Sequence, residues 1–232
     1  MTNTASATGP KPGLFTRMAY GVGGAAGGIK NNGFDYVLLL FYSQVLGLPG
    51  LWVAAAIWIA LIVDAVSDPI VGYWSDNLKT RWGRRHPFMY LAIIPVAFAY
   101  VMAWNPPEGL TGNALFPYLL MITIVVRVCY TFYEVPSSAL VAELTDDYDE
   151  RTSFLSFRYV FGWVGGVAMA AYALAFLLVE TETYGSGFLN VEGYQAYGSI
   201  AAVAIVVSIL VCAIGTHAQI PNLRSPPADR QI

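Results

Sequence analysis

Residues 51–77 read LWVAAAIWIALIVDAVSDPIVGYWSDN. From Leu51 to Trp74 the only charges are Asp64 and Asp68. A helix that crosses a bilayer needs about 20 mostly apolar residues, and this run supplies them. Working outward, five more runs meet the same test: Met18 to Leu46, Pro87 to Trp104 with no charge at all, Leu115 to Leu144, Phe154 to Val179, and Tyr197 to Gly215. The sequence therefore predicts an all-α membrane protein of six transmembrane helices.

Composition agrees. The 232 residues are 56% hydrophobic and only 12% charged, and the mean hydropathy is +0.55. Soluble domains carry about twice that share of charge. The net charge of −3 gives no electrostatic case for a nucleic-acid partner. Cys129 and Cys212 both lie in apolar runs, which suggests neither a disulfide framework nor a zinc site. His86 lies in a basic loop and His217 at a helix end. No HExxH or GxSxG pattern is present, so the reading is a non-enzyme without a cofactor.

The expected organisation is a disordered cytoplasmic tail over 1–13, a transmembrane domain over 14–217 and a cytoplasmic tail over 218–232. The first segment lacks an apolar core and a cleavage pattern, unlike a signal peptide. Pro221 to Ile232 is Pro-rich and polar. Leu48-Pro49-Gly50 and Asn105-Pro106-Pro107-Glu108-Gly109 read as turns. Basic residues flank the spans on one side only: Lys11, Arg17, Lys79, Arg81, Arg84, Arg85, Arg151, Arg224 and Arg230. The opposite loops carry only Glu108, Glu180, Glu182 and Glu192. Cytoplasmic loops are enriched in Lys and Arg, so both termini are expected in the cytoplasm.

Seven ionisable residues fall inside the spans: Lys30, Asp35, Asp64, Asp68, Arg127, Glu134 and Arg158. Each costs about 2.5–3.5 kcal/mol on insertion scales unless it faces a cavity or a partner. Seven together point to a polar pathway, the alternative being ion pairs that lock helices. Asp64 and Asp68 lie four residues apart and share one helix face. Two carboxylates that close repel unless a cation or proton sits between them. The alternative is that one pairs with an arginine and the other caps a distortion at Pro69. Thr131 and Glu134 share a face of the fourth span, with Tyr130 four residues before Glu134. Hydroxyl and carboxylate oxygens at that spacing suit a hard cation. Pro136 frees a carbonyl nearby. Arg127 falls on the face of Glu134, and Arg158 can reach Glu134 from the fifth span. The run Gly21-Val22-Gly23-Gly24-Ala25-Ala26 has no preceding strand, so it suits close helix packing rather than a dinucleotide. Trp52, Trp104, Tyr118 and Tyr197, near span ends, read as interfacial anchors.

Asp64-Ala65-Val66-Ser67-Asp68-Pro69, Gly72-Tyr73-Trp74-Ser75-Asp76 and Arg81-Trp82-Gly83-Arg84-Arg85-His86-Pro87 together resemble the second helix and following loop of the glycoside–pentoside–hexuronide:cation symporters. These form a melibiose-permease-like branch of the major facilitator superfamily. Tyr133-Glu134-Val135-Pro136-Ser137-Ser138-Ala139-Leu140 and the stretch from Glu143 to Thr152 look like the family's fourth helix and its cytoplasmic loop. Ser156-Phe157-Arg158 and Gly165-Gly166 fit its fifth helix, and Phe41-Tyr42 with Val45-Leu46-Gly47-Leu48 fit the end of its first. The resemblance implies sugar or glycoside uptake coupled to Na⁺ or H⁺ by alternating access, in a bacterial inner membrane. It implies cation binding by Asp64, Asp68, Thr131 and Glu134, and sugar contact by Tyr130, Glu134 and Arg158. The family's sugar-binding acid would fall near Gly28, where Lys30, Asn31, Asn32 and Asp35 stand close by, so Lys30 and Asp35 join the substrate set. Asp76, Gly83, Arg84 and Arg85, with Glu143, Asp147 and Arg151, resemble a cytoplasmic gate. Such transporters have two six-helix halves. This chain matches one half, its tail resembling the central linker. The expected partners are a sugar, a coupling cation, the lipid bilayer and a second half, whether a homodimer mate or a missing C-terminal half. The alternatives are a non-transporting truncated half or a split-transporter subunit, and behind them a membrane-embedded enzyme.

Overall fold

A computed structural model describes residues 12–78 and 80–223. Six helical rods run through it. The first, α1, is Leu14–Asn32. It continues through a wide-turned π segment at Gly33–Val37, one α-helical turn at Leu38–Leu40 and a second π segment at Phe41–Val45. The others are α2 (Gly50–Asn77), α3 (His86–Trp104), α4 (Leu115–Leu144), α5 (Tyr148–Tyr172, extended by a π turn at Ala173–Leu177) and α6 (Val191–His217). No strand occurs among the described residues. Residues 1–11, 79 and 224–232 lie outside the described residues, and with them most of the expected tails (1–13 and 218–232) and Lys11, Lys79, Arg224 and Arg230.

The five rods after the first are each long and apolar enough to cross a membrane. The first expected span coincides with α1 and its continuation, a rod interrupted by π turns and rich in glycine. Local chemistry sets the ends. Gly47 turns the chain at a φ of +74°, a conformation open to glycine without steric cost, before Pro49 leads into α2. Asp147 caps α5 by accepting from the N–H groups of Asp149 and Glu150, and Asn190 caps α6 through Gly193.

Ordered by packing partner, the helices form an open row: α2, α4, α3, α6, α1, α5. α1 and α5 cross with backbone against backbone. A Cβ at Gly24 would stand 2.1 Å from the Arg158 carbonyl oxygen, and one at Gly28 would stand 1.8 Å from that of Gly162. Only glycine permits that approach, which accounts for the Gly-rich run in α1. α2 and α5, at the two ends of the row, leave broad apolar faces uncovered, including Trp58, Ile62 and Ile70 on α2 and Trp163, Val164 and Phe176 on α5.

One expectation is corrected. Trp104 and Tyr197 are fully buried, packed edge to face with ring centroids 4.8 Å apart. They belong to an aromatic cluster with Phe41, Tyr100 and Tyr194 rather than to a membrane interface. Gly198, facing Trp104 one turn along α6, leaves room for the indole. Trp52 is partly exposed against Phe116. Tyr118 donates to the Met102 carbonyl.

Candidate functional site

The intramembrane charges gather into two clusters that share α4. The first joins α2 to α4. Arg127 donates to Asp64 Oδ2 at 3.2 Å. The Thr131 hydroxyl lies 2.9 Å from Asp64 Oδ1, 3.1 Å from Asp68 Oδ1 and 3.1 Å from the Arg127 carbonyl oxygen. A hydroxyl has one proton and serves one acceptor at a time. Two carboxylates therefore converge on a single donor, and Asp68, itself exposed, has no arginine on it among the described residues.

The second cluster joins α4 to α5. Arg158 pairs with Glu134 Oε1 at 3.1 Å and donates to the Ser137 hydroxyl at 3.0 Å. Tyr130 donates to Glu134 Oε2 at 2.8 Å, and Ser138 donates to Oε1 at 3.2 Å. The Arg158 guanidinium also lies over the Tyr20 and Tyr133 rings. The structure thus unites Asp64, Asp68 and Thr131, and separately Tyr130, Glu134 and Arg158. Glu134 is held by Arg158 and Tyr130 rather than by a bond to either aspartate.

A cleft of about 360 Å³ opens beside the second cluster, between α1 and α5. Asp35, Glu134 and Arg158 line it, with Asn31 and Asn32 from α1. Lys30 and Tyr130 do not line it; both are buried alongside, Lys30 Nζ lying 4.4 Å from the centre of the Tyr130 ring. Gly27 leaves space for the Tyr130 hydroxyl. The π turn that starts at Gly33 changes the pitch of α1 just after Lys30, and Asp35 on that turn is exposed to the cleft. Sequence reasoning missed three lining aromatics, Tyr36, Tyr159 and Trp163, which are 66%, 71% and 75% exposed. Their signal was the spacing of Tyr159 and Trp163 on one face of α5, next to Arg158.

At one end of the bundle a second charge network ties the loops. Arg85 bridges Asp76 Oδ1, at 3.0 Å, and Glu143 Oε1; Arg84 meets the same Glu143 oxygen at 2.9 Å. Gly83, with φ of +75°, shapes the turn that delivers both arginines. Asp147 and Arg151 act beside this network: Asp147 caps α5, and Arg151 donates to the Thr145 carbonyl. Arg17 and Glu150, which sequence reasoning did not single out, pair at 3.3 Å, and Thr145 donates to Glu150.

Comparison with known proteins gives this arrangement a family. Residues 19–231 match the family described as MFS/sugar transport protein. An uncharacterised symporter of Synechocystis is 34% identical over 84% of this chain and 35% of its own length. The inner membrane symporter YicJ of Escherichia coli is 27% identical over 84% of this chain and 41% of its own length. The isoprimeverose transporter of Lactiplantibacillus pentosus is 26% identical over 81% of this chain and 38% of its own length. The chain spans 35–41% of the length of these relatives. With a helical bundle, a shared polar interior and symporters as relatives rather than enzymes, the chain belongs to the MFS/sugar transport family, that of the glycoside–pentoside–hexuronide symporters.

Proposed function

We infer that this chain supplies one six-helix half of a cation-coupled transporter for a sugar or glycoside, working by alternating access in a bacterial inner membrane. The observation that carries this reading is the pair of adjacent polar clusters on α4, one facing α2 and one opening on the cleft.

Asp64, Asp68 and Thr131 serve the coupling cation, Na⁺ or H⁺. Two carboxylates sharing one hydroxyl donor repel each other until a cation or proton joins them. The cleft serves the substrate. Asp35, Asn31 and Asn32 offer polar groups to hydroxyls, Arg158 and Glu134 close its inner wall, and Tyr159 and Trp163 offer flat apolar faces to a sugar ring. Tyr130 acts from behind by holding Glu134. Glu134, in the second cluster, lies one turn beyond Thr131 on α4, so cation and sugar act on the same helix. Any coupling through it is reciprocal: each ligand strengthens the other by the same factor.

Asp76, Arg84, Arg85 and Glu143 form the gate on the cytoplasmic side, with Asp147 and Arg151 fixing the start of α5. The Arg17–Glu150 pair puts the start of α1 at that same end, in keeping with cytoplasmic termini. A second six-helix half, the remainder of a longer polypeptide or a second copy, completes the substrate pathway. The name YicJ carries supports an inner-membrane location.

The test is uptake into proteoliposomes by a form carrying both halves, with isoprimeverose and a glucuronide as probes, with and without Na⁺ and across pH. Cation-stimulated uptake of either probe that is lost in Asp68→Asn supports the reading. Uptake indifferent to cations overturns it.

A further inference from the structure

Lys30 lies outside both the Thr131 cluster and the cleft lining. It is a buried residue of α1, 6% exposed. Among the described residues it makes no ion pair; its ammonium rests instead on the face of Tyr130, 4.4 Å from the ring centre. Around it stand charged groups from three helices. Asp64 and Asp68 of α2, Glu134 of α4 and Asp35 on the continuation of α1 attract it, and Arg127 of α4 repels it. Tyr130, which carries it, donates to Glu134, and Arg127, three residues before Tyr130, holds Asp64 and lies over Phe34, four residues beyond Lys30. The lysine therefore sits between the two carboxylate clusters and is locked to neither.

The charge balance of the interior gives this position a meaning. Lys30, Arg127 and Arg158 supply three positive charges against the four carboxylates Asp35, Asp64, Asp68 and Glu134. Arg127 and Arg158 are committed to Asp64 and Glu134. One ammonium and two carboxylates remain, a deficit of one positive charge. Asp35 and Asp68 are both exposed and keep some water, but unpaired charge within a membrane span is still costly, and a single monovalent cation or proton completes the set. Without Lys30 the deficit would be two. An ammonium held by a ring face on a flexible four-carbon stem can balance either cluster, whereas a guanidinium fixed in a fork to one carboxylate cannot.

We propose that Lys30 is a tethered counter-ion that occupies the place of a second coupling cation and so sets the number of cations bound at one per chain. This rests on the assignment of Asp64, Asp68 and Thr131 to the cation. The experiment measures the positive charge taken up at the carboxylates of the purified protein in lipid nanodiscs, as ²²Na⁺ bound plus carboxylates protonated (read from the carboxyl infrared band, which lysine does not share) on adding NaCl or lowering pH from alkaline solution. The wild type should take up one charge that Asp68→Asn does not. If it takes up none, the cation-site assignment falls, and this proposal with it. Given one charge in the wild type, Lys30→Met should take up two and Lys30→Arg one. Lys30→Met/Asp68→Asn should return to one, because it removes a positive and a negative charge together. A folded Lys30→Met that takes up only one charge overturns the tethered counter-ion and leaves the cation site standing. Should Lys30→Met lose its fold, saturating NaCl or low pH should restore its melting temperature. A loss of fold that no cation relieves, shared by the double variant, also overturns it, because the lysine would then act by packing.

Discussion

The Thr131 hydroxyl has one proton and two carboxylates waiting for it. From this follows a difference between the two aspartates. Asp64 keeps Arg127 whatever Thr131 does, but Asp68 depends on the shared hydroxyl or on an added cation. Asp68→Asn should therefore abolish cation-stimulated substrate binding. Loss of one charged ligand, at about 1.5–3 kcal/mol, corresponds to roughly 10- to 150-fold weaker cation binding. Asp35→Asn, on the cleft wall away from Thr131, should weaken substrate more than cation. Equilibrium binding of a glycoside probe across a Na⁺ titration measures both, and an Asp68→Asn protein with full cation stimulation would return Asp68 to a helix-locking role. The spacing that brings Asp64 to Asp68, and Tyr130 and Thr131 to Glu134, was legible because it lies within single helices. Which arginine meets which carboxylate was not. Arg127 shares a face with Glu134 in sequence, yet it crosses to Asp64 on another helix. Trp104 and Tyr197 show the same limit, since an aromatic near a span end reads alike whether it meets headgroups or a neighbouring helix.

Between elements, the closest crossing is α1 on α5, and glycine alone makes it. A Cβ on Gly28 would fall inside the contact radius of the Gly162 carbonyl oxygen, which is backbone and cannot turn aside. Gly28→Ala should lower stability by about 1–3 kcal/mol through overpacking and widen the cleft that both helices line. Thermal melting in detergent checks this, with Gly185→Ala, whose added Cβ meets nothing within 4 Å, as the unaffected control. At the loop end, burial decides which gate residue matters. Glu143 is 5% exposed at its side chain and holds two arginines, whereas Asp76 is 55% exposed and holds one of them. An exposed pair contributes about 0–1 kcal/mol, while breaking a buried one costs about 3–5 kcal/mol. In a complete transporter Asp76→Asn should move the inward/outward ratio by no more than about fivefold, and Glu143→Gln by more than about 100-fold. Distance distributions between spin labels on the two halves read that ratio. Equal shifts from the two variants would show that burial does not rank them. Neither the crossing nor this ranking could be taken from sequence, because both depend on which helices are neighbours.

For the whole molecule, the order of helices matters more than their number. α2 and α5 end the row, and each leaves a face uncovered. On α2 the exposed residues Trp58, Ile62, Val66, Ile70 and Tyr73 recur at helical spacing. On α5 they include Val160, Trp163, Val164 and Val167, and Trp163 and Val167 also line the cleft. The cleft is thus open on the side where the bundle ends. A lone six-helix unit would have lipid or water where a transporter needs its second wall, and alternating access needs two bodies that rock about a site between them. The chain should therefore bind ligands weakly and transport nothing as a monomer. Uptake should appear only when a second six-helix unit covers α2 and α5. The check is proteoliposome uptake with subunit number counted by single-molecule photobleaching of labelled protein. Uptake confined to vesicles holding two copies would mean that the chain pairs with itself. Uptake that requires a co-expressed C-terminal half would mean that the unit belongs to a longer transporter. Robust uptake in vesicles holding one copy would defeat the prediction, since one half would then build both walls of the pathway.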